Sequence, residues 1–359
     1  MRLIYNQKYE EIDNKMSDCQ MGARKNKGCR NNLFIINGII HDVMSANRKT
    51  PVLLQIYDYK QMFDAINLQQ AISDMYDGGV EDDNLPLIYK ANNDVRMAVN
   101  TPDGLTDRQQ LKNVVLQGGT WGSILASVQV DSIGKEVAST NLGYKYMDKL
   151  PVTLLGLVDD MIGVSEVGYK AQQLNAILNV KTAEKRLQFG VNKCKSLAVG
   201  RNLSNTINTK LSVDKWGVKH IQVGNTGDSI LTETYEGRVN IEQVDQTKYL
   251  GYILSNKGNN MPHIKEVKKK SVWITRKIFA KLESLNLRKY YFQSAIIFLN
   301  LILRSSILYA CETFYNLREK EIRELERIEE VFLRMMFKTT RGCPLALSRI
   351  RTYSCEICS

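Results

Sequence analysis

The segment LLGLVDDMIG, residues 154–163, sets Asp159 and Asp160 side by side in a run that is otherwise apolar or glycine. An unpaired charge in such surroundings costs on the order of several kcal/mol, so the fold must bury the arms while giving the acids a partner or water. Two short strands meeting in a tight turn satisfy both demands, because apolar arms suit a buried sheet and Asp favours turns. The sequence therefore predicts a hairpin over VTLLGLV and MIGV with both acids at its tip. Asp82 and Asp83 are an internal control: they too are adjacent, but they lie in the polar loop DGGVEDDN and carry no such constraint.

A third carboxylate comes from VLLQIYDYKQMFDAI, residues 52–66. Its first six residues suit a buried strand, and Asp58 stands at that strand's end. If this strand neighbours the hairpin in one antiparallel sheet, three acids converge at the sheet's edge. Converging carboxylates repel one another, and a divalent cation keeps them ionised; Mg²⁺ takes oxygen ligands from one or two carboxylates together with water and phosphate oxygens.

The remaining segments surround this nucleus. A basic loop, QMGARKNKGCRNN (20–32), leads into LFIINGIIHDVM, where Leu33, Ile36, Ile40 and Val43 fall at helical spacing. INLQQAISDMY has helical character, and LIYKANNDVRMAV is expected to be a hairpin turning at Asn92 and Asn93. In LQGGTWGSILASVQVDSIGKEV (116–137) a Gly-rich turn opens a long helix, and a second helix is expected over 170–188. FGVNKCKSLAVG reads as a loop running into a strand, 201–245 as polar loops with short edge strands, and KYLGYIL (248–254) as one strand. Beyond it Ile264, Val267, Ser271, Ile274, Ile278 and Leu282 line one helical face, and a helix over 317–336 carries Leu325, Ile328 and Phe332 on its apolar side. The apolar stretch 290–311 contains Gln293, Asn300 and Arg304 and is expected to be a buried helix, not a membrane span.

The formal charge of +11 is concentrated: residues 262–351 hold 19 Lys and Arg against 9 Glu and no Asp, a net of +10. That excess points to a polyanionic partner, and the ordinary apolar content of 43% excludes disordered and fibrous classes. Seven scattered cysteines, odd in number and preceded by no secretory signal, imply a reduced intracellular setting. The terminal CEIC is at most half of a zinc site.

Six segments in order, QMGARKNKG with NNLFIINGII, YDYKQMFDAI, LQGGTWGSILAS, GLVDDMIG, NKCKS and YLGYIL, resemble the motif series of a reverse transcriptase. From near residue 1 to roughly residue 340 the chain is similar to the polymerase domain of a non-LTR (LINE-type) retrotransposon. The resemblance implies an α+β right-hand polymerase, with fingers and palm built on an antiparallel sheet and a helical thumb. It implies an RNA-directed DNA polymerase that transfers a deoxynucleotide to a primer 3′ hydroxyl with two metal ions.

Under this resemblance Asp58, Asp159 and Asp160 are the metal-binding carboxylates, Asp58 and Asp159 holding two Mg²⁺ (or Mn²⁺ in their place) and Asp160 supporting the pair. The Tyr59 carbonyl completes the nucleotide-side ion, and Phe63 takes the steric-gate position that crowds a 2′ hydroxyl. Gln117 and Gly118 pack against the incoming nucleotide and template, where glycine permits close approach. Lys195, in the pattern Asn-x-x-Lys, approaches the pyrophosphate as general acid, while Arg24, Lys25 and Lys27 touch triphosphate or template phosphates. Tyr249, Leu250 and Gly251 form the primer grip. Leu157 replaces the aromatic usual before the acid pair, as in telomerase-type enzymes.

The expected organisation is partial fingers over 1–50, a palm with remaining fingers elements over 51–260 that includes the polar insertion 201–245, a basic helical thumb over 261–340, and an aberrant tail over 341–359. Expected partners are an RNA template, a DNA primer and dNTPs, with no membrane. The expected setting is the nucleus with a cytoplasmic phase, and the chain is expected to be a truncated part of a longer retrotransposon polyprotein. Two alternatives stand beside this reading: a telomerase-like or group II intron-like reverse transcriptase, and a relic that binds RNA/DNA without polymerising.

Overall fold

Both faces of the central strand are covered, which is why VLLQIY is a continuous apolar run broken only by Gln55. In a computed structural model of the chain, β1 (Val52–Tyr57), β2 (Leu154–Leu157), β3 (Asp160–Glu166), β4 (Lys195–Val199) and β5 (Glu242–Gln243) form a five-stranded sheet. Its order is β5-β4-β1-β3-β2, antiparallel except for the short β4–β5 pair. The structure describes residues 2–45, 51–80, 84–93, 95–111, 115, 119–166, 169–200, 210–214, 219–220, 235–284, 291–314 and 317–338.

Helices α1 (Arg2–Lys15), α2 (Cys29–Ser45), α3 (Leu68–Asp77), α4 (Leu85–Asn93), α5 (Gly122–Ala138) and α6 (Tyr169–Glu184) belong with this sheet in one compact unit, Met1–Leu250. Apolar residues surround α5, and it is buried almost throughout, with Leu125, Ala126, Ile133 and Val137 fully enclosed. Its core is continuous with Leu68 and Met75 of α3, Leu174 and Leu178 of α6, and Tyr57 and Met161 of the sheet. The fold is that of the α+β class expected.

LIYKANNDVRMAV does not make a hairpin at Asn92 and Asn93. Leu85 and Ile88 are buried one helical turn apart, and the Asn92 Nδ2 donates to the Ile88 carbonyl at 2.8 Å, so the segment becomes α4 and extends only at Val95–Met97. KYLGYIL likewise is not one strand: Leu250 and Gly251 have φ of 45° and 82°, and the run divides there into Gln246–Tyr249 and Tyr252–Ser255. Glycine meets that left-handed backbone without penalty.

The second compact unit is Gly251–Ser359, which begins ahead of the expected boundary at 260/261. Tyr252–Ser255 lies against α7 (Met261–Ser284): the Tyr252 hydroxyl donates to Asn260 Oδ1 at 2.9 Å, and its ring stacks on His263. Phe279 and Leu282 of α7 pack with Leu299 and Leu303 and with Ile328, Phe332 and Leu333 of α9 (Glu319–Phe337), which follows α8 (Tyr291–Phe298). The buried Glu321 caps this arrangement by accepting from the backbone N–H groups of Arg318 at 2.9 Å and Asn260 at 3.0 Å.

The stretch 290–311 departs from a single buried helix. After α8 it winds into a π segment, Leu299–Arg304, and Ile297, Leu301 and Leu308 each expose more than half of their surface. Ile296–Thr313 is long and apolar enough to cross a membrane by length and composition alone. The expected tail, 341–359, and most of the polar insertion lie outside the described residues.

Candidate active site

The hairpin closes on the pair Leu157–Asp160, leaving Val158 and Asp159 as a two-residue turn. β3 runs beside β1 with Tyr57 opposite Met161, so Asp58, one residue past β1, comes level with Asp160 at the same end of the sheet. Adjacent strands lie about 4.8 Å apart, which brings these carboxylates into mutual range. The electrostatics record this: burial of the Asp160 carboxyl raises its pKa, and the charges of Asp159 and Asp58 raise it further. Asp160 is exposed as a whole residue, whereas Asp58 and Asp159 are half-buried.

Asp58 is fixed from below. Its carbonyl accepts from the Gly190 N–H at 2.7 Å, and a Cβ on Gly190 would stand 3.1 Å from Asp58 Oδ2, so glycine leaves room for the carboxylate. Lys193 Nζ, on a largely exposed side chain, approaches the same oxygen at 3.2 Å. Behind Asp58 the Tyr57 ring is fully buried over Gly163, and its hydroxyl donates to Asn175 Oδ1 of α6.

The turn itself is conformationally costly. Val158 has φ of 58°, a left-handed geometry that a β-branched side chain resists at a cost of about 1–3 kcal/mol. A segment of the basic loop holds it. The Gly156 N–H donates to the Cys19 carbonyl at 2.7 Å and the Met21 N–H to the Gly156 carbonyl at 2.8 Å, a parallel bridge along β2. Gln20, 1% exposed, reaches Val158 with its side-chain amide. Nothing in the sequence set Gln20 apart from the basic residues around it.

The other expected site residues divide. Phe63 is half-buried in the helical turn Met62–Ala65, packed against the main core. The Tyr59 side chain is core: it stacks on Phe189 with centroids 4.9 Å apart, and burial raises its phenol pKa. Lys195 ion-pairs with Glu242 of β5, and it is Lys193 that reaches Asp58. Arg24 is turned into the protein. Its side chain is 6% exposed and is spent on Asp13 and on the carbonyls of Asp13, Ser17 and Gln20.

Lys25 is exposed, 3.7 Å from Glu10, and Lys27 bonds Asp18 at 2.7 Å, holding that carboxyl below its usual pKa. The Tyr249 ring is buried, and its hydroxyl accepts from Asn32 Nδ2 at 3.3 Å; Leu250 and Gly251 form the turn that follows. Gln117 and Gly118 lie outside the described residues.

Among the described residues no three His, Cys, Asp or Glu side chains are already gathered as a metal cluster. The donor set at the end of β1 and β3 is nevertheless all carboxylate oxygen, and the charges of Asp159 and Asp58 add to burial in raising the Asp160 pKa. That chemistry fits a hard divalent cation that keeps water and phosphate ligands, not one that seeks thiolate or imidazole.

In the second unit, α7 and α9 border a cavity of about 810 Å³ whose lining is mostly basic, with Lys265, Lys269, Lys270 and Arg276 beside Trp273 and two acids, Glu266 and Glu324. Trp273 is 55% exposed, and Lys277 Nζ sits 3.9 Å over its ring.

Residues 2–254 match the model of a family described as reverse transcriptase (RNA-dependent DNA polymerase). No curated protein matches the chain. Among solved structures, the chain is similar to telomerase from Candida albicans in complex with a TWJ fragment of telomeric RNA, with 13% identity, a TM-score of 0.47 and coverage of 95% of this chain and 54% of that one. Apo telomerase from Candida tropicalis gives 12% identity, a TM-score of 0.46 and coverage of 93% and 54%. The chain thus spans about half the length of these structures. With a family match that runs through β1, the acid-bearing hairpin and the strand before Tyr252, the chain belongs to the reverse transcriptase family of RNA-dependent DNA polymerases, which are nucleotidyltransferases.

Proposed function

We propose that this chain adds deoxynucleotides to a primer 3′ hydroxyl under the direction of an RNA template. The observation that carries this is the convergence of Asp58 with Asp159 and Asp160 at one end of a family-matched sheet. Asp58 and Asp159 would hold divalent cations, with Mg²⁺ the natural ion. Held there, such ions would supply Lewis-acid activation for the attacking hydroxyl and charge for the departing pyrophosphate. Asp160, the most exposed of the three, supports the pair by its charge.

The chain's own groups supply orientation. Gly190 and the ladder to β3 fix Asp58, and Phe63 stands two positions past Gln61, whose φ of 47° turns the chain away from β1. Phe63 would crowd a ribonucleotide's 2′ hydroxyl. Among the described residues, Lys193, already at Asp58, would meet a leaving pyrophosphate, and Lys195, one strand over, would have to leave Glu242 to join it. The groove bordered by α7 and α9 would hold backbone phosphates on lysines and a base on Trp273.

The order and spacing of the motifs favour a non-LTR retrotransposon enzyme that would act on dNTPs and an RNA/DNA hybrid as part of a longer polyprotein, with the nucleus as its proposed setting. Primer extension on an RNA template with Mg²⁺ tests the activity. Asp159→Asn should lower the rate by about a thousandfold or more, the several kcal/mol a metal ligand contributes, with hybrid binding nearly intact. Equal activity in that variant would remove the metal-ligand assignment, and hybrid binding with no extension by the native chain would leave a nucleic-acid binder. Phe63→Val should admit ribonucleotides; unchanged sugar discrimination would remove the gate.

A further inference from the structure

A two-residue hairpin turn leaves the first turn peptide without ladder partners, and water usually supplies them. In this chain both polar groups of Val158 are bound by one buried side chain. Gln20 Oε1 accepts from the Val158 N–H at 2.9 Å, and Gln20 Nε2 donates to the Val158 carbonyl at 3.3 Å. The same Oε1 accepts from the Gly22 N–H at 2.8 Å, which fixes the amide's orientation from its own side.

The loop is shaped for this contact. A Cβ on Gly22 would fall 2.4 Å from the Val158 nitrogen, and one on Gly156 would fall 3.1 Å from Gln20 Nε2. Arg24 Nη1 donates to the Gln20 carbonyl at 3.1 Å while its Nε bonds Asp13 Oδ1 at 2.7 Å, so the guanidinium braces the segment from behind. Asn32, fully buried, donates to the Gly156 carbonyl at 3.1 Å and closes the contact on the β2 side.

We infer that Gln20 is a positioning residue for the acid-bearing turn. Its amide, braced by Arg24, holds Val158 in the left-handed conformation that aims Asp159 and Asp160, a role that rests on the catalytic reading of those acids. Without the clamp, Val158 returns to φ below zero, and the two carboxylates swing off the line that joins them to Asp58. Gln20 is 1% exposed, so its effect runs through the backbone of Val158.

Two measurements on the full chain test this. In primer extension, Gln20→Leu should lower kcat about tenfold to a hundredfold, the loss of two buried hydrogen bonds to the turn, with the dNTP KM and the hybrid Kd unchanged. Adding Val158→Gly, which accepts φ of either sign, should restore most of that loss. Hydrogen exchange read over residues 154–160 needs no activity: Gln20→Leu should speed exchange at Val158 while Val52–Tyr57 keeps its native rate. A chain that never polymerises would defeat the function proposed above, yet exchange would still decide the clamp. Unchanged exchange at Val158, equal acceleration throughout Val52–Tyr57, KM and Kd rising in step with a falling kcat, or no rescue by glycine would each overturn it.

Discussion

The residue directly before Asp58 is Tyr57, and its ring fills the space that any side chain on Gly163 would need. A Cβ there would stand 3.0 Å from Tyr57 Cε2 and 3.3 Å from its hydroxyl. Gly163→Ala should therefore destabilise the first unit by about 1–3 kcal/mol, the usual penalty for overpacking. Urea unfolding measures it, and an unchanged midpoint would show that the ring yields freely. The glycine is legible in LLGLVDDMIG but its reason is not, because the ring that needs the space lies a hundred residues earlier. Lys193 and Lys195 make the same point about polar residues. The motif spacing singles out Lys195, yet strand pairing sets Lys195 opposite Ile56 and beside Glu242, while Lys193, in the turn before β4, meets Asp58. Lys193→Ala should change unfolding stability by less than about 1 kcal/mol, because the lysine end of this ion pair is exposed to water.

Among the elements, those with a clear signal were legible: β1, the acid hairpin and α9 follow from run or period, and α5 from the Gly-rich turn that opens it. The short element after Tyr249 was not, since YLGYIL has the composition of a strand and only the positive φ at Leu250 and Gly251 divides it. Tyr252 then leads into α7 through His263, whose ring is buried between Tyr252 and Phe314 and whose Nδ1 accepts from the Ile253 N–H at 3.4 Å. Burial pushes the His263 pKa down to about 4. An unfolded histidine titrates near about 6.5, so below that pH the unfolded chain binds a proton that the folded unit refuses. Stability of the second unit is complete above about 6.5 and falls toward pH 4, by about 3 kcal/mol in all. His263→Phe keeps an aromatic ring at that position and cannot titrate, so its stability should lack this slope. Urea midpoints at several pH values compare the two, and a flat native curve across the window would contradict the burial argument.

For the whole molecule, the informative quantity is where the charge lies, not its sum. Of the net +11, residues 262–351 account for +10, and the structure places Lys265, Lys269 and Arg276 around one cavity beside an exposed Trp273. The concentration of charge was legible by counting, but the cavity was not, because it depends on how α7 packs against α9. If this cavity holds nucleic-acid backbone, each phosphate neutralised releases counterions, and affinity falls with salt with a slope near 0.7 to 0.9 per contact, roughly. Replacing Lys265, Lys269 and Arg276 together by alanine should then reduce the slope of log K against log salt by about 2 to 3, and weaken all sequences alike. Trp273→Ala should instead lower affinity at every salt concentration with the slope preserved, since stacking releases no counterions. Fluorescence anisotropy on an RNA/DNA hybrid between about 50 and 200 mM salt separates the two effects. A triple variant with the native slope would place the phosphate contacts elsewhere on the chain, and a tryptophan variant that alters the slope would mean that Lys277, stacked on that ring, makes one of those contacts itself.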